Sequence, residues 1–315
     1  MQIWAHAAGE LKPSDVVVNP LPLFHSYGLT AGTLLGLFHG MKVVLYPSPL
    51  HYRQVPKLIA KVKATLLFAT DTFLRGYARA ADKEDIKSVR LVIAGAERVK
   101  EDTRALWGDT TILEGYGATE CSPVIAVNLP WASKDGTVGT LLPGIEAALE
   151  PVDGIPVGGK LKVKGPNVMN GYIFADRPGE LVAPVGGWHD TGDIVAIDAD
   201  GFVTIKGRAK RFAKLGGEMV SLAAVESLVS QLWPDSNHVV LSLPDPRKGE
   251  QLVLVTDRRD PDKAALLKHA QAEGIPELWV PRIVVPVEVL PVLGSGKIDY
   301  PATLDLVRQL RPMMI

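Results

Sequence analysis

The stretch Thr110-Thr111-Ile112-Leu113-Glu114-Gly115-Tyr116-Gly117-Ala118-Thr119-Glu120 decides how the first half of the chain is read. Its opening, Thr110 to Leu113, is a short apolar run that predicts the end of a buried strand. The remainder, Glu114 to Glu120, has the composition of a ligand loop. Gly115 and Gly117 let the backbone come close to a bound group, and Tyr116 between them offers a flat face to a base. Thr119 can bond a phosphate oxygen, and Glu120 can hold a hard cation such as Mg²⁺ through oxygen. A plain strand-to-loop turn carries the same glycine punctuation, so the stretch has to be read with its surroundings.

Upstream, apolar runs alternate with helical patterns. Val16-Val17-Val18, Lys42 to Tyr46, Thr65 to Ala69 and Val89 to Ile93 read as strands. Between them, Val55, Leu58, Ile59 and Val62 recur at helical spacing, and helices are expected over 71–81 and 98–106. This alternation predicts a mostly parallel α/β sheet, whose ligands bind beyond the carboxyl ends of the strands. Gly95-Ala96-Glu97 and the Gly115–Glu120 stretch both fall at such ends. So does Leu23-Phe24-His25-Ser26-Tyr27-Gly28, whose His25 either lines a pocket or is an ordinary loop histidine.

From Thr137 the rhythm changes to short strands with turns at Pro143-Gly144, Asp153-Gly154, Gly158-Gly159 and Asp200-Gly201. That pattern predicts a small barrel or a distorted antiparallel sheet, with a hairpin around Asp198–Gly201. After Lys210 come a helix with Leu222, Val225, Leu228, Val229 and Leu232 on one face, further strands and a terminal helix. The expectation is an α/β fold in three parts. These are a partial parallel-sheet domain (1–136), a β-barrel-like subdomain (137–209) and a separate α+β domain (210–315).

Composition bounds the function. The 315 residues carry a net charge of −1, so no global basic field favours nucleic acid. Cys121 is the single cysteine, which rules out an intramolecular disulfide and suits a reducing cytoplasm. Beside the ligand stretch, Cys121 reads as a small buried hydrophobe rather than a nucleophile. The apolar run Leu29–Phe38 is too short to span a bilayer, so any membrane association is peripheral, at the inner face.

Three later stretches carry chemistry. His189-Asp190-Thr191-Gly192-Asp193 lacks the second histidine or the acidic spacing of a metal site. Its Asp193 reads instead as a carboxylate at a tight turn that accepts two ribose hydroxyls, the solution dinucleotide-binding folds use, or as a turn residue capping its own backbone. The run from Gly207 to Glu218 holds Arg208, Lys210, Arg211 and Lys214 before its first acid, and its Gly216-Gly217 pair argues for a mobile or closely approached backbone. In Pro291-Val292-Leu293-Gly294-Ser295-Gly296-Lys297-Ile298 a lysine sits at a glycine-rich tip. Pro291 and Ile298 break the Walker A pattern, but Lys297 could still stabilise charge on a phosphoryl or acyl group.

In this order and spacing, these stretches resemble the acyl-adenylate-forming enzymes, which include acyl-CoA synthetases, luciferases and peptide-synthetase adenylation domains. The resemblance runs from about Val16 to the C-terminus. Leu23–Gly28, Tyr46–Arg53, Ile112–Gly117 and Gly207–Lys214 point to the branch that loads acyl carrier protein. The resemblance implies ATP/AMP and Mg²⁺ as cofactors, a fatty acid as substrate, and acyl carrier protein or CoA as acceptor. It implies that Gly95, Ala96 and Glu97 lie along the adenine, with Tyr116 stacked on it between Gly115 and Gly117. Thr119 touches phosphate, Glu120 binds Mg²⁺, and Asp193 and Arg208 hold the ribose. Lys210 is the hinge, Gly216 and Gly217 border the thiol tunnel, and Lys297 bridges the reacting carboxylate. Arg211 replaces the acid that commonly follows the hinge.

The family's Ser/Thr/Gly-rich phosphate loop is not found in the sequence, and no histidine is followed by Asp at the spacing of an acyltransferase. The expectation is a fragment that does not ligate alone, with an open sheet edge that favours a homo-oligomer. Two other readings stay open: a plain acyl-CoA ligase, and a non-catalytic fragment that binds adenosine nucleotides.

Overall fold

Strand β1, Val16–Asn19, is where the first sheet is laid down. In the computed structural model, which describes residues 11–245, 249–293 and 298–310, β1 leads into a helix (α1) of wide π-type turns over Tyr27–Leu34 that tightens to α-turns over Leu35–Phe38. The chain continues as β2 (Lys42–Leu45), α2 (Gln54–Val62), β3 (Leu66–Ala69), α3 (Asp71–Ala80), β4 (Leu91–Ala94), α4 (Glu101–Trp107) and β5 (Thr111–Gly117). β6 (Val124–Val127) and β7 (Thr140–Leu141) complete a seven-stranded sheet of order β2-β1-β3-β4-β5-β6-β7. The first five strands pair in parallel. Val17, Val18, Leu67 and Val92 are fully buried, as expected for strands covered on both faces. The strand order reverses between β1 and β3, and open parallel sheets bind ligands beyond the carboxyl ends at such a reversal.

Two expectations are corrected here. Gly115, Tyr116 and Gly117 are not a loop beyond the strand; β5 runs through them and pairs antiparallel with β6, with a register shift between Tyr116 and Gly117. The glycine at that irregularity is required, since a Cβ on Gly117 would stand 2.1 Å from the Pro123 carbonyl oxygen. The helix expected from Arg98 begins only at Glu101, after an extended Lys100 (φ −83°, ψ 152°); the Val99 and Lys100 N–H groups donate to the carboxylates of Glu114 and Asp71.

Beyond β7 lie β8 (Glu146–Glu150), β9 (Gly159–Lys164), the ribbon β10 (Tyr172–Ile173) and β11 (Leu181–Val182), β12 (His189–Ile197) and β13 (Val203–Arg208). β8, β9, β12 and β13 form a sheet of order β13-β12-β9-β8. Of the two forms expected for this region, the distorted sheet is the one found, and the Asp198–Gly201 turn joins β12 to β13, with Asp198 bonded to the Phe202 backbone.

The last strands are β14 (Phe212–Leu215) and β15 (Glu218–Ser221), then helix α5 (Leu222–Leu232), β16 (His238–Asp245), β17 (Gly249–Thr256), α6 (Lys263–Ala272), β18 (Ile283–Pro286) and α7 (Tyr300–Leu310). The sheet order is β15-β14-β17-β16, with β18 parallel to β17. Alternation along β17 sorts two cores. Leu252 and Leu254 pack with Val225, Val229 and Leu266, whereas Val253 and Val255 pack with Val239, Val285 and Val307. The chain divides into two compact units. One comprises the described residues up to 150 with 161–191 and 196–205; the other comprises 151–160, 192–195 and the described residues from 206.

The first sheet is tied at its amino end by Asp15, which is 3% exposed. It accepts from Arg90 at 2.7 and 3.1 Å, Thr65 Oγ1 at 2.7 Å and Lys12 N at 2.8 Å. Burial works to raise the Asp15 pKa, but Arg90, the Lys12 N–H and Thr65 outweigh it and hold the group below its ordinary value of 3.8. A depressed folded pKa contributes stability in full above the unfolded value and loses it as pH falls through the folded one. Asp15→Asn is therefore expected to cost about 2–4 kcal/mol near neutrality and to flatten the loss of stability below pH ~4. Hydrogen exchange at Val17 and Leu67 across that range checks it; equal acid sensitivity in both proteins would remove Asp15 from the account.

Candidate active site

In the first unit, three of the expected stretches converge at the carboxyl ends of the parallel strands. Asn19, 1% exposed at the end of β1, folds the following segment over itself. Its Nδ2 donates to Gly28 O at 2.9 Å and Thr33 Oγ1 at 2.8 Å, and its Oδ1 accepts from Leu21 N at 3.1 Å. This places His25, Ser26 and Tyr27. The Tyr27 hydroxyl donates to Ile93 O at 2.6 Å, and a Cβ on Gly95 would lie 3.3 Å from its ring. Ser26 Oγ reaches Thr119 Oγ1 at 3.5 Å, across 93 residues of sequence. His25 Nδ1 accepts from Tyr27 N at 3.2 Å, an arrangement that leaves Nε2 to carry the ring proton of a neutral imidazole.

The Gly95–Lys100 segment is pinned by three carboxylates: its own Glu97, Asp71 of α3 and Glu114 of β5. Glu97 accepts from Thr72 N at 2.9 Å and Thr72 Oγ1 at 2.8 Å, so it caps α3. Asp71 accepts from Lys100 N at 3.0 Å, and Glu114 accepts from Val99 N at 3.1 Å while pairing with Arg104 at 2.7 Å. Held this way, Ala96 takes a φ of +67°, a left-handed conformation rare for a residue with a Cβ. Such strain persists only where surroundings over-determine it. Glu97, expected along a base, has one carboxylate oxygen committed to the helix.

Thr119 is exposed, beyond the end of β5. Glu120 Oε1 accepts from the Tyr172 hydroxyl at 2.8 Å, and the Glu120 carbonyl accepts from Met169 N at 2.7 Å. Burial and this hydrogen bond push the Tyr172 hydroxyl up to about 12. Tyr116 is only 8% exposed, so most of its surface is covered by protein. Cys121 is fully buried and its thiol is pushed up to about 12, by burial first and then by Glu120, which makes it the inert hydrophobe expected.

In the second unit, Asp193 is buried and Arg208 Nε lies 3.1 Å from its Oδ1. Asp193 sits inside β12 rather than at a tight turn; the φ of +70° at Gly192 bends the strand just before it. Lys210 is exposed in the turn between β13 and β14. Gly216 and Gly217 connect β14 to β15 with φ of 58° and 98°, and a Cβ on either would meet nothing within 4 Å. The pair is thus the two-residue hairpin turn that demands positive φ twice, not a close approach. Lys297 lies outside the described residues.

Sequence reading missed Ser26, Asn19, Asp71, Glu114 and Tyr172. Glu114 had a signal, a lone acid inside the apolar run after Ile112-Leu113, which announces a buried partner. Ser26 and Tyr172 had none, because their contacts are made across long stretches of chain. Among the described residues no three acids, histidines or cysteines gather as a metal cluster, and no helix is long and apolar enough to cross a membrane.

The chain is 31% identical over 301 residues to the mitochondrial medium-chain acyl-CoA ligase ACSF2 of Mus musculus, covering 90% of this chain and 49% of that protein. It is 30% identical to a long-chain-fatty-acid–CoA ligase of Escherichia coli O6:H1, covering 90% of this chain and 52% of that one. The chain thus spans about half the length of the curated relatives it matches. ATP-bound MatB from Rhodopseudomonas palustris superposes with a TM-score of 0.80 at 27% identity, over 99% of this chain and 63% of that one. A family model described as AMP-binding enzyme matches residues 1–173, and the chain belongs to that family.

Proposed function

We propose that this chain is part of an ATP-dependent acyl-activating ligase. The intact protein joins a fatty acid to AMP and then passes the acyl group to a phosphopantetheine thiol. The observation that carries this reading is the meeting of the 23–28, 95–97 and 115–120 stretches beyond the parallel strands, through the Tyr27–Ile93 and Ser26–Thr119 contacts. In the first step a carboxylate oxygen attacks the α-phosphorus of ATP and pyrophosphate leaves. In the second the thiol sulfur attacks the acyl carbon and AMP leaves.

Each residue has its part in this proposal. Gly95, Ala96 and the stem of Glu97 border the adenine, with Gly115, Tyr116 and Gly117 beside it. His25 lines the acyl entrance, and Thr119 donates to phosphate. Glu120 fits a Mg²⁺ ion in kind, since such ions are held by one or two carboxylates plus substrate phosphates; when bound, the ion offsets phosphate charge. Asp193 and Arg208 hold the ribose. Lys297 stabilises charge in adenylation, and rotation about Lys210 replaces its loop with the turn containing Gly216 and Gly217 for thioester formation.

At the finest level we infer the synthetase portion of a bifunctional 2-acylglycerophosphoethanolamine acyltransferase/acyl-[acyl-carrier-protein] synthetase, acting in the cytoplasm at the inner face of the membrane. The stretches 46–53 and 207–214 support it. A second reading, with CoA as acceptor, has its own support. The relatives named above are CoA ligases, and two of the four cations that would steer an acidic carrier protein are already engaged, Arg208 by Asp193 and Arg211 by Glu226. Single-turnover transfer from acyl-adenylate to CoA and to acyl carrier protein separates the two.

Three outcomes are expected. AMP should bind the chain in a calorimetric titration, and Asp193→Asn should weaken it about tenfold or more, given ~1.5–3 kcal/mol per charged hydrogen bond; unchanged affinity would remove Asp193 from the ribose site. Glu114→Gln should accelerate exchange of the Val99 amide and weaken AMP several-fold with the fold retained. Slow exchange in that variant would mean the segment is held without Glu114. In the intact enzyme, Lys297→Ala should stop pyrophosphate exchange and spare thioester formation from supplied acyl-adenylate, and equal losses in both assays would refute the alternating roles.

A further inference from the structure

The stretch Tyr46-Pro47-Ser48-Pro49-Leu50-His51-Tyr52-Arg53 is given no step in the chemistry proposed above, yet it is firmly built. The Tyr46 hydroxyl and His51 Nδ1 lie 3.0 Å apart, and the Tyr77 hydroxyl donates to Pro49 O at 2.8 Å. The Tyr52 ring presses on α3 so closely that a Cβ on Gly76 would stand 2.3 Å from it. Two prolines stiffen the backbone. Between this loop and the last turns of α3 lies a shallow open cleft of about 760 Å³.

Arg53 and Arg79 line the cleft, with His51 and Gln54 beside them, and no carboxylate is among its lining residues. Neither guanidinium makes an ion pair or a hydrogen bond with another described residue. Lys57 and Lys61 extend the positive charge along the exposed face of α2, one and two turns beyond Arg53. Two guanidiniums at one hollow repel each other and raise the local potential. An anion relieves that repulsion, and the planar guanidinium fork matches the oxygens of a phosphate group. The arginine end of the cleft is set apart from the nucleotide segment: Thr72, which binds Glu97, is seven residues before Arg79 on α3, about 10 Å along the helix, and the Glu97 charge reaches the cleft only at the Tyr52 wall.

We propose that this cleft is a second anion site that takes a phosphate group, carried either by a soluble phosphate ester or by the head group of an anionic lipid. The inference does not rest on the acyl-activating reading. The test titrates the chain with inorganic phosphate at low ionic strength, by calorimetry. Saturable binding is expected, weakened about tenfold or more in the double variant Arg53→Gln, Arg79→Gln and unchanged in Lys268→Gln, which removes an exposed cation from the other unit. Gly76→Ala, which keeps every charge but displaces Tyr52, is expected to weaken it too. AMP binding and melting should be unaltered in the double variant, which excludes misfolding. Co-sedimentation with phosphatidylcholine vesicles containing phosphatidic acid then separates the sources. Vesicle binding that free phosphate displaces and that needs both arginines identifies a head group, and phosphate binding without it identifies a soluble ester. No saturable phosphate binding, or equal weakening by all variants including Lys268→Gln, would overturn the proposal.

Discussion

Burying Glu114 is the constraint on which the nucleotide-facing half of the first unit depends. A carboxylate in the middle of an apolar strand costs several kcal/mol unless its oxygens are occupied. Here one oxygen takes Arg104 and the other takes the Val99 N–H. The same arginine donates to Ile112 O at 2.9 Å, so α4 is fastened to β5 at two points. The bond holds Val99 against β5 while Lys100 stays extended, and α4 starts only at Glu101. Between the end of β4 and Val99, Ala96 takes a conformation rare for a residue with a Cβ. One buried charge thus helps to fix the loop that leads into α4.

The glycines divide by physical reason. Gly117 is needed because the Pro123 carbonyl occupies the space a side chain would take; Gly28, whose Cβ would stand 2.5 Å from Pro22 O, is the same case. Gly216 and Gly217 face open space and are needed for their dihedral angles alone. A sequence shows both kinds as the same letter. The reading of a closely approached backbone suits the first kind and fails for the second.

Strands β1, β3 and β4 were legible because they are apolar on both faces over most of their length, a pattern that local composition can reveal. The continuation of β5 through Gly115–Gly117 was not, since it is created by β6, which returns after a turn at residues 118–123 and whose pairing leaves no mark on the strand itself. Asp193 was not legible as a strand residue, because Gly192 disguises a bend as a turn. The candidate site was readable in its motifs and unreadable in their supports. Ser26 is known only by Thr119, Tyr172 only by Glu120, and Thr72 only by Glu97.

The cation run from Arg208 to Lys214 carries the same lesson further. By sequence it is four like charges awaiting an acidic partner. In the fold, Arg211 lies between the Glu226 carboxylate at 2.5 Å and the Tyr300 ring at 3.9 Å. Glu226 also accepts from Val240 N at 2.8 Å. Burial pushes the Glu226 pKa up, and Arg211 and the Val240 N–H pull against that rise without cancelling it. Arg211 thus joins α5, β16 and the first turn of α7, and its charge is consumed in doing so. It stands immediately after Lys210, where a lysine without such anchors would leave the turn free. A guanidinium held by an ion pair and an aromatic face fixes one end of the turn, and Lys210 and Lys214 stay exposed.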